Sequence, residues 1–262
     1  MPIPAERHKA ISDYLAENEF AEVETLSAFV NASPATVRRD LKELEKIGVV
    51  VRTRGGAARA HYGVGHEPSY SARAHQQRAE KRAIAQQACD LIHEGQVIAL
   101  DVGSTNYEVA KQLRGYHNIT VFTASLPIAQ LLAASDVSVF IVGGRVRPKE
   151  LSVIGPTVTQ VIAQYHFDLF FMGAAGVTPQ AGFTDFSIDD VEVKKTLIQQ
   201  SHQVIALMDH TKIGQVSFAQ ICPLLKVKRL ITDAQADPAG INEIRQLGLE
   251  VSLAPLPPDS AR

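Results

Sequence analysis

Two cysteines occur in 262 residues, Cys89 and Cys222, far apart and in neither CxxC nor metal-ligand spacing. That disfavours a disulfide framework and a cysteine-based zinc site, and both are expected to be reduced core thiols. The nine histidines are scattered; His61 and His66 share one polar stretch but have no further ligands beside them, so no metal is expected. No run of about 18 apolar residues exists, so no membrane span is expected. The segment Met1-Pro2-Ile3-Pro4-Ala5-Glu6-Arg7-His8 lacks the apolar core of a signal peptide, and a cytoplasmic protein is expected. Neither GxGxxG nor GxxxxGK[ST] is present, which disfavours dinucleotides and nucleoside triphosphates; no cofactor is expected. There is no internal repeat. What remains is an ordinary globular composition, long enough for one or two domains with a sizeable core.

The chain also lacks an overall basic excess: its net charge is −2. That sum hides a split. Residues 1–30 hold two Lys/Arg against six Asp/Glu, whereas residues 31–60 hold seven (Arg38, Arg39, Lys42, Lys46, Arg52, Arg54, Arg59) against three. Nucleic-acid association needs a local positive patch, not a basic whole.

The basic stretch has a helical pattern. Ser33 is a good N-cap, and Pro34 suits the first turn. Val37, Leu41 and Leu44 recur at helical spacing as a narrow buried stripe. Ala35, Arg39, Lys42 and Lys46 fall roughly opposite, with Arg38 on the flank. A DNA major groove admits such a helix, where Arg and Lys read guanine edges or grip phosphate. Alone, an ordinary amphipathic surface helix would explain it equally well. The surroundings decide: Ile11, Tyr14 and Leu15 mark a first helix at about 5–18, Val23, Leu26 and Val30 a short second one, and Asn31-Ala32-Ser33 a tight turn into the third. That is the helix-turn-helix order. Gly48 ends the third helix, and residues 49–57 read as a β-hairpin wing with inward valines and Arg52 and Arg54 on one face. The expected DNA contacts are therefore Ser33, Ala35, Thr36, Arg38, Arg39, Lys42, Arg52 and Arg54.

Residues 59–77 read as a linker and 255–262 as a disordered tail. Between them, after a helix at 78–93, apolar runs at 97–100, 119–123, 137–142, 169–172, 204–208, 229–232 and 249–253 alternate with helical stretches. Fully apolar strands alternating with helices imply a mostly parallel sheet covered on both faces. Ligands of such sheets bind at the carboxyl ends of strands. The first run ends Asp101-Val102-Gly103-Ser104-Thr105-Asn106, where backbone amides, hydroxyls and a helix start can converge on an anion; simple helix capping by Ser104 or Thr105 is an equal alternative. Thr123-Ala124-Ser125 forms a second hydroxyl-bearing turn, and Gly143-Gly144-Arg145 offers close backbone approach plus a guanidinium. Asp185 adds a carboxylate for sugar hydroxyls. Lys212, after Asp209-His210-Thr211, adds an ammonium suited to phosphate, though an isolated lysine there would read as surface. Asp189, Asp190 and Glu192 read as complements of a helix dipole.

The spacing Arg7-x3-Ile11-x3-Leu15, seventeen residues, then Ser33-x2-Thr36-Val37-Arg38-Arg39-Asp40-Leu41, closely resembles the DeoR family of bacterial transcription regulators. Arg52-Thr53-Arg54-Gly55-Gly56-Ala57 resembles its wing. The resemblance spans about residues 5–235. It implies an α/β protein: an N-terminal winged helix-turn-helix domain (1–58), then a mostly parallel-sheet, ribose-5-phosphate-isomerase-like effector domain (78–254). Asp101-x-Gly103-Ser104-Thr105 resembles a phosphate loop shared with those isomerases, and Asp209-x-Thr211-Lys212 a shared segment whose lysine meets phosphate. Gly143-Gly144, Phe171-Met172-Gly173, Glu192-Val193-Lys194 and Ile231-Thr232-Asp233 fall in the family's order. Position 124 departs from it, with Ala where the family usually has Asn.

Three readings follow. The favoured one is a DNA-binding regulator, a repressor of a sugar-metabolism operon, acting on operator DNA as a homo-oligomer (dimer or tetramer) under control of a phosphorylated sugar. The second is a sugar-phosphate isomerase with an appended DNA module; against it, Phe171-Met172-Gly173-Ala174-Ala175-Gly176 stands where the isomerases carry an acidic run. The third is a phosphosugar sensor acting mainly through other proteins.

Overall fold

The computed structural model describes residues 3–18, 20–53, 55–59 and 67–256. The chain divides into two compact units, residues 1–72 and 73–262.

In the first unit, α1 (Pro4–Asn18), α2 (Val23–Phe29) and α3 (Pro34–Lys46) surround a core of Ile11, Leu15, Val23, Leu26, Val37, Leu41 and Leu44. The expected stripe of α3 is thus its buried face. Ser33 caps α3 by accepting from the Thr36 amide at 3.2 Å. The wing is β2 (Val50–Thr53) with β3 (Gly56–Arg59), and a strand not read from the sequence, β1 (Phe20–Glu22), joins it in the order β1-β3-β2. Gly56 permits this third strand, since a Cβ there would sit 2.2 Å from the Ala21 carbonyl oxygen. The inward-valine expectation needs correction. Val50 is buried, but Val51 is 51% exposed, because alternate side chains of a strand point to opposite faces. Arg54 lies outside the described residues.

The second unit holds the expected sheet. Seven strands run parallel in the order β15-β14-β12-β9-β4-β5-β6: β4 (Val97–Leu100), β5 (Thr120–Thr123), β6 (Ser138–Ile141), β9 (Phe167–Gly173), β12 (Ser201–Leu207), β14 (Arg229–Asp233) and β15 (Glu250–Ala254). Alternate residues serve opposite faces. Ile98, Leu100, Leu169, Phe171, Ile205 and Leu207 pack with α5 (Arg78–Cys89), α6 (Ser104–Leu113) and α7 (Leu126–Leu132). Ala99, Phe170, Met172, Val204 and Ala206 pack with α8 (Pro156–Ile162), α9 (Ile188–Gln200) and α10 (Pro238–Gln246). Both cysteines are buried, and burial pushes their thiols up to about 12.

Short antiparallel pieces, absent from the sequence reading, decorate the carboxyl edge: β7 (Arg145–Arg147) with β8 (Ser152–Ile154), and β10 (Gly176–Thr178), β11 (Gly182–Asp185) and β13 (Ala219–Cys222). The stretch expected to be a linker contains α4 (Tyr70–His75); residues 60–66 lie outside the described residues, as do 257–262 of the expected tail. The chain winds outward through β5 and β6, then returns to β9 on the other side of β4. The topological switch therefore falls between β4 and β9, where open parallel sheets take ligands.

Candidate functional site

On the first unit, α3 turns Ser33, Ala35, Arg38, Arg39 and Lys42 to solvent, with Thr36 half-buried beside its cap. Arg38 lies 3.5 Å from Glu24 of α2, and Arg52 of the wing 3.6 Å from Glu45. Among the described residues, Arg39 and Lys42 meet no carboxylate. The inner face of α3 holds what the wheel did not assign. Asp40, 3% exposed, accepts from Arg7 Nε at 2.8 Å and Arg7 Nη2 at 2.9 Å, with His8 Nε2 at 3.1 Å. Burial raises the Asp40 carboxyl, but the Arg7 and His8 hydrogen bonds outweigh it and hold the pKa below the usual range. This fork ties α1 to α3 and fixes the rotation of the helix that carries the outward cations.

At the switch point of the second unit, Gly103 is the N-cap of α6 at φ +108°, a conformation that favours glycine. It has no side chain to cap the helix, so Ser104, Thr105 and Asn106 form an uncapped first turn. Capping by Ser104 or Thr105 is therefore not what these residues do. Asn106 is 1% exposed, and neither its Oδ1 nor its Nδ2 has a partner.

Asp101 sits differently from the ligand contact expected of it. Its Oδ1 accepts from the Val102 amide at 2.8 Å; its Oδ2 accepts from the Gly173 amide at 2.8 Å and from Lys194. Lys194, buried, also reaches the Gly173 carbonyl at 3.0 Å and Asp185 at 3.2 Å. Burial pulls the Lys194 pKa down, but Asp101 and Asp185 more than offset this and hold it above an ordinary lysine. Arg147 pairs with Asp190 and Arg145 with Asp189 (2.8 Å), so the first-turn acids of α9 face guanidiniums, not only a helix dipole.

A second cationic group lies by the loop. Lys81 of α5 is 5% exposed; burial lowers its pKa to about 8, with the charges of Lys212 and Arg73 lowering it further and those of Asp209 and Glu108 opposing. Lys212, in a single 3-10 turn capped by Asp209, has no partner among the described residues. Arg73 Nη1 lies 3.7 Å from where a side chain at Gly103 would begin. Arg73 thus lies beside the Gly103 turn, and Lys81 feels the charges of both Arg73 and Lys212. Thr123 and Ser125 are buried, with their hydroxyl oxygens accepting locally from the Ser125 and Ile128 amides, at 3.1 and 3.4 Å. Gly143 and Gly144 lead into β7 above them, where a Cβ on Gly144 would lie 2.8 Å from the Ile154 carbonyl oxygen.

Lys194, Lys81 and Arg73 were missing from the sequence-derived site. A signal existed for two of them: each lysine falls on the apolar stripe of its helix, Lys81 with Ile84, Ala85 and Ala88, Lys194 with Val191 and Leu197. A cation in that position needs a buried partner or ligand.

Two family models match in tandem: the DeoR-like helix-turn-helix domain over residues 7–62 and the DeoR C-terminal sensor domain over residues 76–234. The chain belongs to the DeoR family. It is a DNA-binding transcription regulator. Similar DeoR-family relatives include the HTH-type transcriptional regulator GlpR of Haloferax volcanii, 33% identical over 95% of this chain and 97% of that one. The HTH-type transcriptional repressor GlcR of Bacillus subtilis is 33% identical, covering 94% and 95%. The glycerol-3-phosphate regulon repressor of Escherichia coli is 28% identical, covering 87% and 90%. Among solved structures, the ribose 5-phosphate isomerase of Methanocaldococcus jannaschii is similar over 50% of this chain and 52% of that one, at 17% identity and a TM-score of 0.38. Among the described residues, no helix is long and apolar enough to cross a membrane, and no cluster of three potential metal ligands occurs.

Proposed function

We propose that this DeoR-family regulator is a repressor whose effector is a phosphorylated sugar or polyol, and that it is not an enzyme. One observation carries the reading: Arg73 lies beside the uncapped start of α6, and the charges of Arg73 and Lys212 both act on the buried Lys81. Arg73 is paired with Glu150 and Lys81 feels the charges of Asp209 and Glu108, but Lys212 has no partner among the described residues, so a phosphate supplies a counter-charge that a neutral sugar would not. Gly103, Ser104 and Thr105 then offer amides and hydroxyls to phosphate, and Asn106 offers both a donor and an acceptor to the rest of the ligand. Asp101 orders the loop instead of touching ligand. Isomerisation needs a carboxylate free to move a proton, and here Asp101 and Asp185 already serve Lys194. Two relatives, the transcriptional repressor GlcR and the glycerol-3-phosphate regulon repressor, agree with this reading.

On the DNA side, Arg39 and Lys42 reach bases, Arg38 and the wing residues Arg52 and Arg54 grip phosphates, and Ser33, Ala35 and Thr36 line the approach. A single short helix reads too few bases for a genomic site, so the protein acts as an oligomer on paired half-sites. The boundaries read as 1–58 for DNA binding and 78–254 for the sensor, with α4 in the stretch between.

Calorimetry with matched pairs of sugar and sugar phosphate tests the effector class. The phosphorylated member should bind much more tightly, and Lys212→Ala should remove most of that preference while leaving operator affinity intact. Equal affinity for both members in the wild type would refute it.

A further inference from the structure

α4 is the segment in which the chain passes from one unit to the other, since the division falls between residues 72 and 73. Two groups tie its sensor-side end to the site. Lys81 Nζ donates to the carbonyl of Arg73, within the last turn of α4, and to that of Gln76, just past its end, the latter at 2.7 Å. That uses two of the three protons of the ammonium. Arg73 itself pairs with Glu150, a residue 3% exposed, and holds its Nη1 over the Gly103 turn. The loop, the guanidinium of α4 and the lysine that holds the end of α4 therefore meet at one place.

We propose that an anion on the 103–106 loop is bound directly by Arg73, so that the junction segment itself completes the effector site. The proposal rests on reading that loop as an anion site, and adds which part of the chain senses occupancy. Arg offers five donors in a planar fork, so it can turn one edge to a dianion that competes with Glu150. Lys81 keeps one proton beyond those it gives to the Arg73 and Gln76 carbonyls, so the same ammonium can serve the anion and the end of α4. Ligand then binds better when α4 is held, and by reciprocity holds α4 more firmly once bound. Asn106 supports a ligand here: its buried, partnerless amide lies on the same first turn.

The test uses the full chain, with inorganic phosphate as probe. Calorimetry gives affinity, and amide hydrogen exchange reads residues 73–77. Phosphate should slow exchange there in the wild type. Glu150→Gln removes the competitor and should tighten phosphate binding several-fold. Adding Arg73→Gln to that variant, which leaves no newly unpaired buried carboxylate, should weaken binding about tenfold below the wild type and abolish the slowing. A purely structural Arg73–Glu150 pair would give no tightening in Glu150→Gln, and that result overturns the proposal. So does a double variant that binds phosphate as the wild type does. In both cases the anion site stands. Failure of the wild type to bind phosphate at all overturns the anion site itself.

Discussion

In the DNA-binding unit one buried carboxylate, Asp40, meets the fork of one guanidinium, and the cations left over face solvent. In the sensor unit a buried lysine, Lys194, meets two carboxylates, while Lys81 is itself buried and feels the charges of Arg73 and Lys212. Each pair has the same task, to fix the element that carries the site. They differ in where the free charge goes. An outward array suits a large polyanion whose phosphates arrive from solvent. An inward array suits a small anion that can be surrounded. On the proposed reading, one chain holds two anion readers told apart by burial.

The comparison can be broken at its deepest point first. Lys194→Met strands Asp101 and Asp185, and should cost the sensor unit about 3–5 kcal/mol in denaturant unfolding. A change under about 1 kcal/mol would mean that the pair is not what holds the loop. The outward array is tested next. Arg39→Ala should weaken operator binding by about 1–3 kcal/mol and relax preference at one base position. Uniform weakening over a panel of operator variants would reassign Arg39 to phosphate.

A pH series sharpens the inward array. Lys81 has a pKa of about 8 in the folded protein, below that of an ordinary lysine. The unfolded chain holds that proton to higher pH, so this group adds stability as pH rises through 8 towards about 10.4. Anion binding has the opposite sign, because it needs the proton. Sulfate affinity should fall about tenfold between pH 7 and 9, since sulfate keeps its charge throughout. Lys81→Met should flatten that fall; an unchanged slope would put the titration elsewhere. The smallest effect belongs to the wing. Arg52→Ala should weaken all DNA sequences alike and lower the salt slope by about 0.9, whereas loss of specificity without a change of slope would make Arg52 a base reader.

The same inward–outward difference governs what the sequence reveals. The recognition helix is legible because its buried stripe and outward cations lie within one helical wheel. The seven parallel strands are legible because both faces of the sheet are covered, which makes each strand a continuous apolar run. β6 is the instructive exception. It reads as such a run, yet Phe140 is 50% and Ile141 45% exposed because the strand lies at the sheet edge. Edge position comes from strand order, which no local pattern records. The hairpin pieces β7, β8 and β10 are only three residues long, too short to show a period. Asp101 illustrates the limit for the site: its type and place were legible, but its occupation by Lys194, 93 residues away, was not. Arg73 was hidden because its stretch, read as a linker, folds into α4.

The two buried cysteines give the molecule a clock of its own. Only the thiolate reacts with alkylating reagents, so thiols pushed up to about 12 and shielded from solvent stay silent while the fold is closed. Cys89 closes α5, the helix that starts near Lys81, and Cys222 ends β13 at the carboxyl edge. Each becomes labelled only when its own neighbourhood opens. The rates of modification at the two positions therefore time the breathing of two separate parts of the sensor unit, with no reporter introduced.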